Sequence, residues 1–137
     1  MNSALSAFSI LQYNSTNNIS GNVSSFTSLY NFYVDYVNGS NTGTLLLPNA
    51  TNLHVLARLQ IGCIQYTSEQ ENQILADFWA NRDYAKPGTT LRQINLNGAT
   101  GSGAPTGQGL VDEANLKAYR SPNNEAGYNL WTVTRRQ

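Results

Sequence analysis

The sequence predicts an α+β, β-rich domain. Its expected form is a mostly antiparallel sheet or sandwich of about five to seven strands, with one well-defined helix, about 68–81, packed on it. Three observations lead there. Leu53, Val55, Ala57, Leu59 and Ile61 recur at every second residue, the period of a half-buried strand. Ser68-Glu69-Gln70-Glu71 then opens a run with Ile74, Leu75, Phe78 and Trp79 at helical spacing. Short apolar stretches elsewhere are separated by clusters of Asn, Gly, Ser and Pro, which favour turns.

In chain order, residues 4–13 carry an apolar pattern that suits either a short helix or a strand. Residues 14–25 are turn-prone, with a weak strand around Ile19 and Val23 as the alternative to a loop. Residues 26–37 form the second strong strand. Tyr30, Phe32, Val34 and Tyr36 share one face of it, and Asn31, Tyr33, Asp35 and Val37 the other. Aromatic or branched residues on both faces imply that both are covered. Asn38-Gly39 reads as a two-residue hairpin turn, which would pair residues 44–47 antiparallel with 26–37 before Pro48 stops the strand. The central strand follows, and Gly62 predicts a bend in it, since Ile64 and Tyr66 continue the apolar series on the opposite parity.

The helix start reads as a capping box, the Ser68 hydroxyl taking a backbone N–H while the Glu71 carboxylate reaches back. Arg82 lies where the helix dipole favours positive charge, and Pro87-Gly88 ends the element. Thr90, Arg92, Ile94 and Leu96 mark a further strand. Residues 97–109, with five glycines, predict a long polar loop outside the core. Residues 110–120 suit a short helix with Val111, Ala114, Ala118 and Tyr119 inward. Asn129, Trp131 and Val133 mark the last strand. No internal repeat is evident, and residues 1–137 read as one domain.

Composition narrows the function classes. Eight basic and eight acidic residues cancel, which gives no electrostatic reason to expect nucleic acid or an anionic membrane. Charged residues make up 12% of the chain, about half the usual share. Asn, Ser, Thr, Gly, Gln and eight tyrosines carry the polarity instead. Such groups are buried against a partner at lower desolvation cost than Lys or Glu. The first residues lack a basic segment followed by a long apolar core, so the expectation is a chain made in the cytoplasm without a signal peptide. The sequons at Asn14, Asn18, Asn22, Asn38 and Asn49 are what chance produces in so Asn-, Ser- and Thr-rich a chain.

Catalytic patterns are sparse. The single His54 has no Cys or acidic residue at metal-ligand spacing. The single Cys63 lies in a strand context without a base. Asp112-Glu113 is an isolated adjacent pair. The glycine-rich segment lacks the Lys-Ser/Thr ending of a phosphate loop. No catalytic, cofactor or metal residue is therefore expected.

The expected function is structural: a small virion component, such as a phage capsid decoration, cement or tail-associated subunit, working through protein–protein contacts with itself or other structural proteins. Tyr30, Tyr33, Tyr36, Arg135 and Arg136 are the expected partner contacts. The alternative is a carbohydrate-binding β-sandwich module, since Tyr, Trp and amide side chains suit sugars. A third reading is a small enzyme whose site gathers Tyr33, Asp35, His54 and Arg58 from neighbouring strands.

Overall fold

The computed structural model describes residues 6–13, 16–17, 21–22, 27–37, 40–41, 45–46, 56–61, 66–82, 92–96, 102–119 and 131–135. Nine strands and two helices occur among them, in the order β1 (Ala7–Tyr13), β2 (Thr16–Asn17), β3 (Gly21–Asn22), β4 (Asn31–Val37), β5 (Ser40–Asn41), β6 (Leu45–Leu46), β7 (Arg58–Ile61), α1 (Ser68–Ala80), β8 (Arg92–Leu96), α2 (Gln108–Ala118) and β9 (Trp131–Arg135).

The main sheet has five strands in the order β1-β4-β7-β8-β9. Every strand pairing among the described residues is parallel. This overturns the expected antiparallel sheet or sandwich. The architecture is α/β-like, an all-parallel sheet with two helices. The hairpin expected at Asn38-Gly39 is replaced as well. β6 does not fold back on β4; it runs parallel to β3, Gly21 opposite Leu45. Asn38-Gly39 itself lies outside the described residues.

The register is regular. Ala7 lies opposite Asn31, Thr16 opposite Ser40 and Gly21 opposite Leu45, a constant offset of 24 residues in three separate ladders. The strands β1, β2 and β3 are therefore matched one for one by β4, β5 and β6, as in two successive coils of a solenoid-like path. The expectation of no internal repeat is corrected by this offset. Phe8, Ile10, Asn14, Thr16 and Asn17 recur as Phe32, Val34, Asn38, Ser40 and Asn41. The sequons at Asn14 and Asn38 share this 24-residue spacing.

The third coil starts at β7 and diverges. Arg58 lies opposite Asn31, an offset of 27. The chain then enters α1 where the earlier coils have short strands. α2 takes the corresponding place between β8 and β9.

One face of the sheet builds the core. Phe8, Phe32, Leu59, Ile94 and Val133 stand opposite one another across all five strands. The last four are buried, and Phe8 packs partly buried against them. Phe8 and Phe32 stack with ring centres 5.4 Å apart and planes at 11°. The expected inward sets hold for Ala57, Leu59 and Ile61, for Arg92, Ile94 and Leu96, and for Trp131 and Val133. Leu56 and Gln60 are buried too, so β7 is covered on both sides, as an interior strand of a parallel sheet requires.

Helix α1 buries Glu71, Ile74, Leu75, Asp77 and Phe78. Phe78 meets Trp131 edge-on at 5.2 Å. Its cap sits one residue earlier than expected. Thr67 accepts from the Gln70 backbone N–H at 3.3 Å, and the Gln70 side chain accepts from the Thr67 backbone N–H at 2.8 Å. The capping role expected of Ser68 and Glu71 thus falls to Thr67 and Gln70, and Glu71 turns into the core. At the other end, Arg82 Nη1 donates to the Trp79 carbonyl at 2.8 Å.

The described part of the glycine-rich segment lies against the protein rather than away from it. The Gly103 backbone N–H donates to the Tyr66 carbonyl at 2.8 Å. Pro105 is buried. The Thr106 backbone N–H donates to Asn72 Oδ1 at 2.9 Å, and Asn72 Nδ2 donates to Thr106 Oγ1 at 3.2 Å. A β-carbon on Gly103 would stand 2.3 Å from the Ser68 backbone nitrogen. Gly103→Ala is expected to destabilise the fold by about 1–3 kcal/mol, because the helix start must shift to make room. Urea unfolding followed by circular dichroism checks this.

Candidate functional site

Glu71, Glu113, Lys117 and Arg135 come together where α1, α2 and β9 meet. Helix α2 buries Gly109, Asp112, Glu113 and Leu116. Of the expected inward set for that helix, Tyr119 packs partly buried against the core, but Val111, Ala114 and Ala118 are exposed. Two adjacent carboxylates therefore face inward. The physical reason lies in their partners. Lys117 Nζ donates to Glu113 Oε1 at 2.5 Å, and Arg135 Nη2 stands 3.3 Å from Glu113 Oε2. Gln108 Nε2 donates to Asp112 Oδ1 at 2.9 Å. A buried carboxylate is tolerated when it is paired and hydrogen-bonded in this way.

Glu71 enters the cluster from α1. It is 1% exposed, and its Oε1 has no hydrogen-bond partner. Burial raises its pKa from 4.5 to about 7; the Arg135 guanidinium opposes that rise and the Glu113 carboxylate reinforces it. With Glu71 protonated, Glu113 is the carboxylate that faces Lys117 and Arg135. Raised carboxyl pKa values also occur in general acids. Here the carboxyl has no exposed surface to offer a substrate, so what the arrangement does chemically is hold a proton between two helices and a strand. No group of three or more His, Cys, Asp or Glu suited to a metal ion exists among the described residues.

The opposite face of the sheet is polar. Ala7, Asn31, Arg58, Gln93 and Thr132 form one row, and Ser9, Tyr33, Gln60, Asn95 and Thr134 the next. The Arg58 guanidinium lies over the Tyr33 ring, 5.4 Å from its centre. These two of the four scattered residues are brought together. His54 and the Asp35 side chain lie outside the described residues.

The expected partner contacts fall in different places. Tyr33 is on the polar face. Tyr30 is half-buried just before β4, where its carbonyl accepts from the Ala57 and Arg58 backbone N–H groups at 2.9 and 3.0 Å. Tyr36 belongs to β4, its side chain outside the described residues, as are Arg136 and Cys63. Arg135 points into the ion cluster. Sequence reasoning missed Glu71 as a core residue. The available signal was its place four residues before Leu75 and three before Ile74, on the apolar stripe.

No helix among the described residues is long and apolar enough to cross a membrane. Compared with protein-family models, curated proteins and solved structures, the chain matches none.

Proposed function

We propose that this chain is a structural subunit of a larger assembly and acts through protein–protein contacts led by strand edges. The observation that supports this best is the open end of the coil stack. β1 closes one side of the main sheet, and β2 and β3 each pair on one side alone among the described residues. Among the described residues, three strands of one coil thus each leave a backbone edge without a strand partner, and such edges are where strands add to one another. The low-charge, amide- and Tyr-rich composition suits a surface covered by neighbours, and a virion component is the setting it fits best.

Amide hydrogen exchange on the dilute, monomeric chain tests the reading. The expected result is fast exchange at alternate residues of 7–13, the pattern of a strand paired on one side. Uniform strong protection of 7–13 in the monomer would mean that the edge is already filled from within, and the assembly reading would lose its support.

A carbohydrate-binding role is favoured by one observation, the two polar rows containing Asn31, Tyr33, Arg58, Gln60, Gln93 and Asn95. Against it, the Tyr33 ring is engaged by Arg58. Calorimetric titration with oligosaccharides separates the two readings.

A further inference from the structure

Sheet edges in natural proteins are blunted by lysine, proline, bulges or short strands. β1 has none of these. It is seven residues long, AFSILQY, without charge or proline, and pairs with β4 in unbroken register from Ala7 to Tyr13. Its described outward residues, Ala7 and Ser9, are small and exposed. The far end of the stack differs. β9 is shorter, is packed by α2, and carries Arg135 in an ion pair with Glu113. Among the described residues, one end of the main sheet therefore presents a long uncharged edge, and the other a shorter strand beside a helix.

We infer that the open edge of the first coil is the interface between two copies of this chain, with β1 pairing antiparallel to the partner's β1 about a two-fold axis. The inference rests on the assembly reading and names its partner. The outline of the two ends decides between arrangements. Head-to-tail stacking would set the seven-residue β1 edge against β9, which is shorter and packed by α2. A second β1 matches the first in length and in its lack of charge. A two-fold contact is also self-complementary and closes at two copies, whereas a head-to-tail contact leads to open growth. Joining two sheets at β1 continues the inward row Val133–Ile94–Leu59–Phe32–Phe8 into the partner and satisfies the backbone groups of both edges at once.

The experiment is light scattering after size exclusion over a range of concentrations, with the double variant Ala7→Lys/Ser9→Lys beside the wild type. Both positions are exposed, so the variant keeps its fold, checked by circular dichroism and thermal unfolding. The expected wild-type mass is that of two copies at high concentration, with amides of 7–13 becoming protected at every residue as the dimer forms. The variant places like charges on both sides of the axis and is expected to weaken the dimer roughly tenfold or more. A wild type that stays monomeric at every concentration overturns the inference, as does a mass that climbs past two copies or a dimer that the variant leaves unchanged. A monomer whose 7–13 amides exchange in the alternating pattern overturns the two-fold pairing alone. A monomer with those amides uniformly protected removes the assembly reading as well.

Discussion

Phe32→Ala is expected to cost about 3–5 kcal/mol of stability. Phe32 is fully buried and stands second in the five-residue row that crosses the sheet, with Phe8 on one side and Leu59 on the other. Truncation removes a stacked aromatic contact and leaves a cavity between two coils that cannot close without moving both strands. Single domains hold about 5–15 kcal/mol in all, so a large fraction is lost. The midpoint of thermal unfolding should fall by about 10 °C or more. Phe32→Leu keeps most of the volume and should cost under about 1.5 kcal/mol. Equal effects of the two substitutions would show that the row is not the core of the fold.

The second large effect is a dependence on pH set by Glu71. Its folded pKa, about 7, stands above the ordinary 4.5. Below the ordinary value the carboxyl is protonated in both states and contributes nothing. Between 4.5 and about 7 the unfolded chain releases the proton while the folded chain keeps it, so the folded state binds more protons and stability falls as pH rises. Above that range the loss is complete, at roughly 3 kcal/mol. Glu71→Gln keeps the shape without the titration. The wild type should therefore lose stability relative to this variant between about pH 5 and about pH 8, read as the difference in urea midpoints at each pH. The comparison cancels the other carboxylates, including Glu69, whose pKa is lowered by hydrogen bonds from the backbone and Thr67 and which acts with the opposite sign. A difference that does not change with pH would mean that Glu71 is ionised in the fold.

How far the sequence revealed this fold depends on the scale. Local patterns carried far. Helix α1 spans Ser68–Ala80 against an expected 68–81, and the apolar alternation placed Phe32, Leu59, Ile94, Trp131 and Val133 inward, where they lie. Strand direction did not carry, because Asn38-Gly39 has the same backbone freedom whether the chain reverses or turns a corner. The clue to parallel pairing was the 24-residue recurrence, and it is faint because a coil repeats requirements rather than residues. Phe8 and Phe32 match outright, but Ile10 and Val34, and Thr16 and Ser40, match only in kind.

The ion cluster was hidden for another reason. Glu113 looks solvated until Arg135, distant in sequence, arrives from β9. Charge on a helical stripe is read as surface because its partner cannot be seen locally. Val111 and Ala114 were given the inward place for the same reason, and the structure leaves both exposed.

The order β1-β4-β7-β8-β9 is also the order of synthesis. Each strand pairs with the next one made, so no strand must wait for a later one to be inserted between it and its neighbour. The offset between paired residues grows from 24 between β1 and β4 to 39 between β8 and β9. Closing the longer connection costs only about 0.4 kcal/mol more in loop entropy. Such a path can gain or lose residues between coils, or even a whole coil, without changing which strand finds which. Length along this chain is therefore close to a free variable, constrained at each coil only by the need to return to the same row.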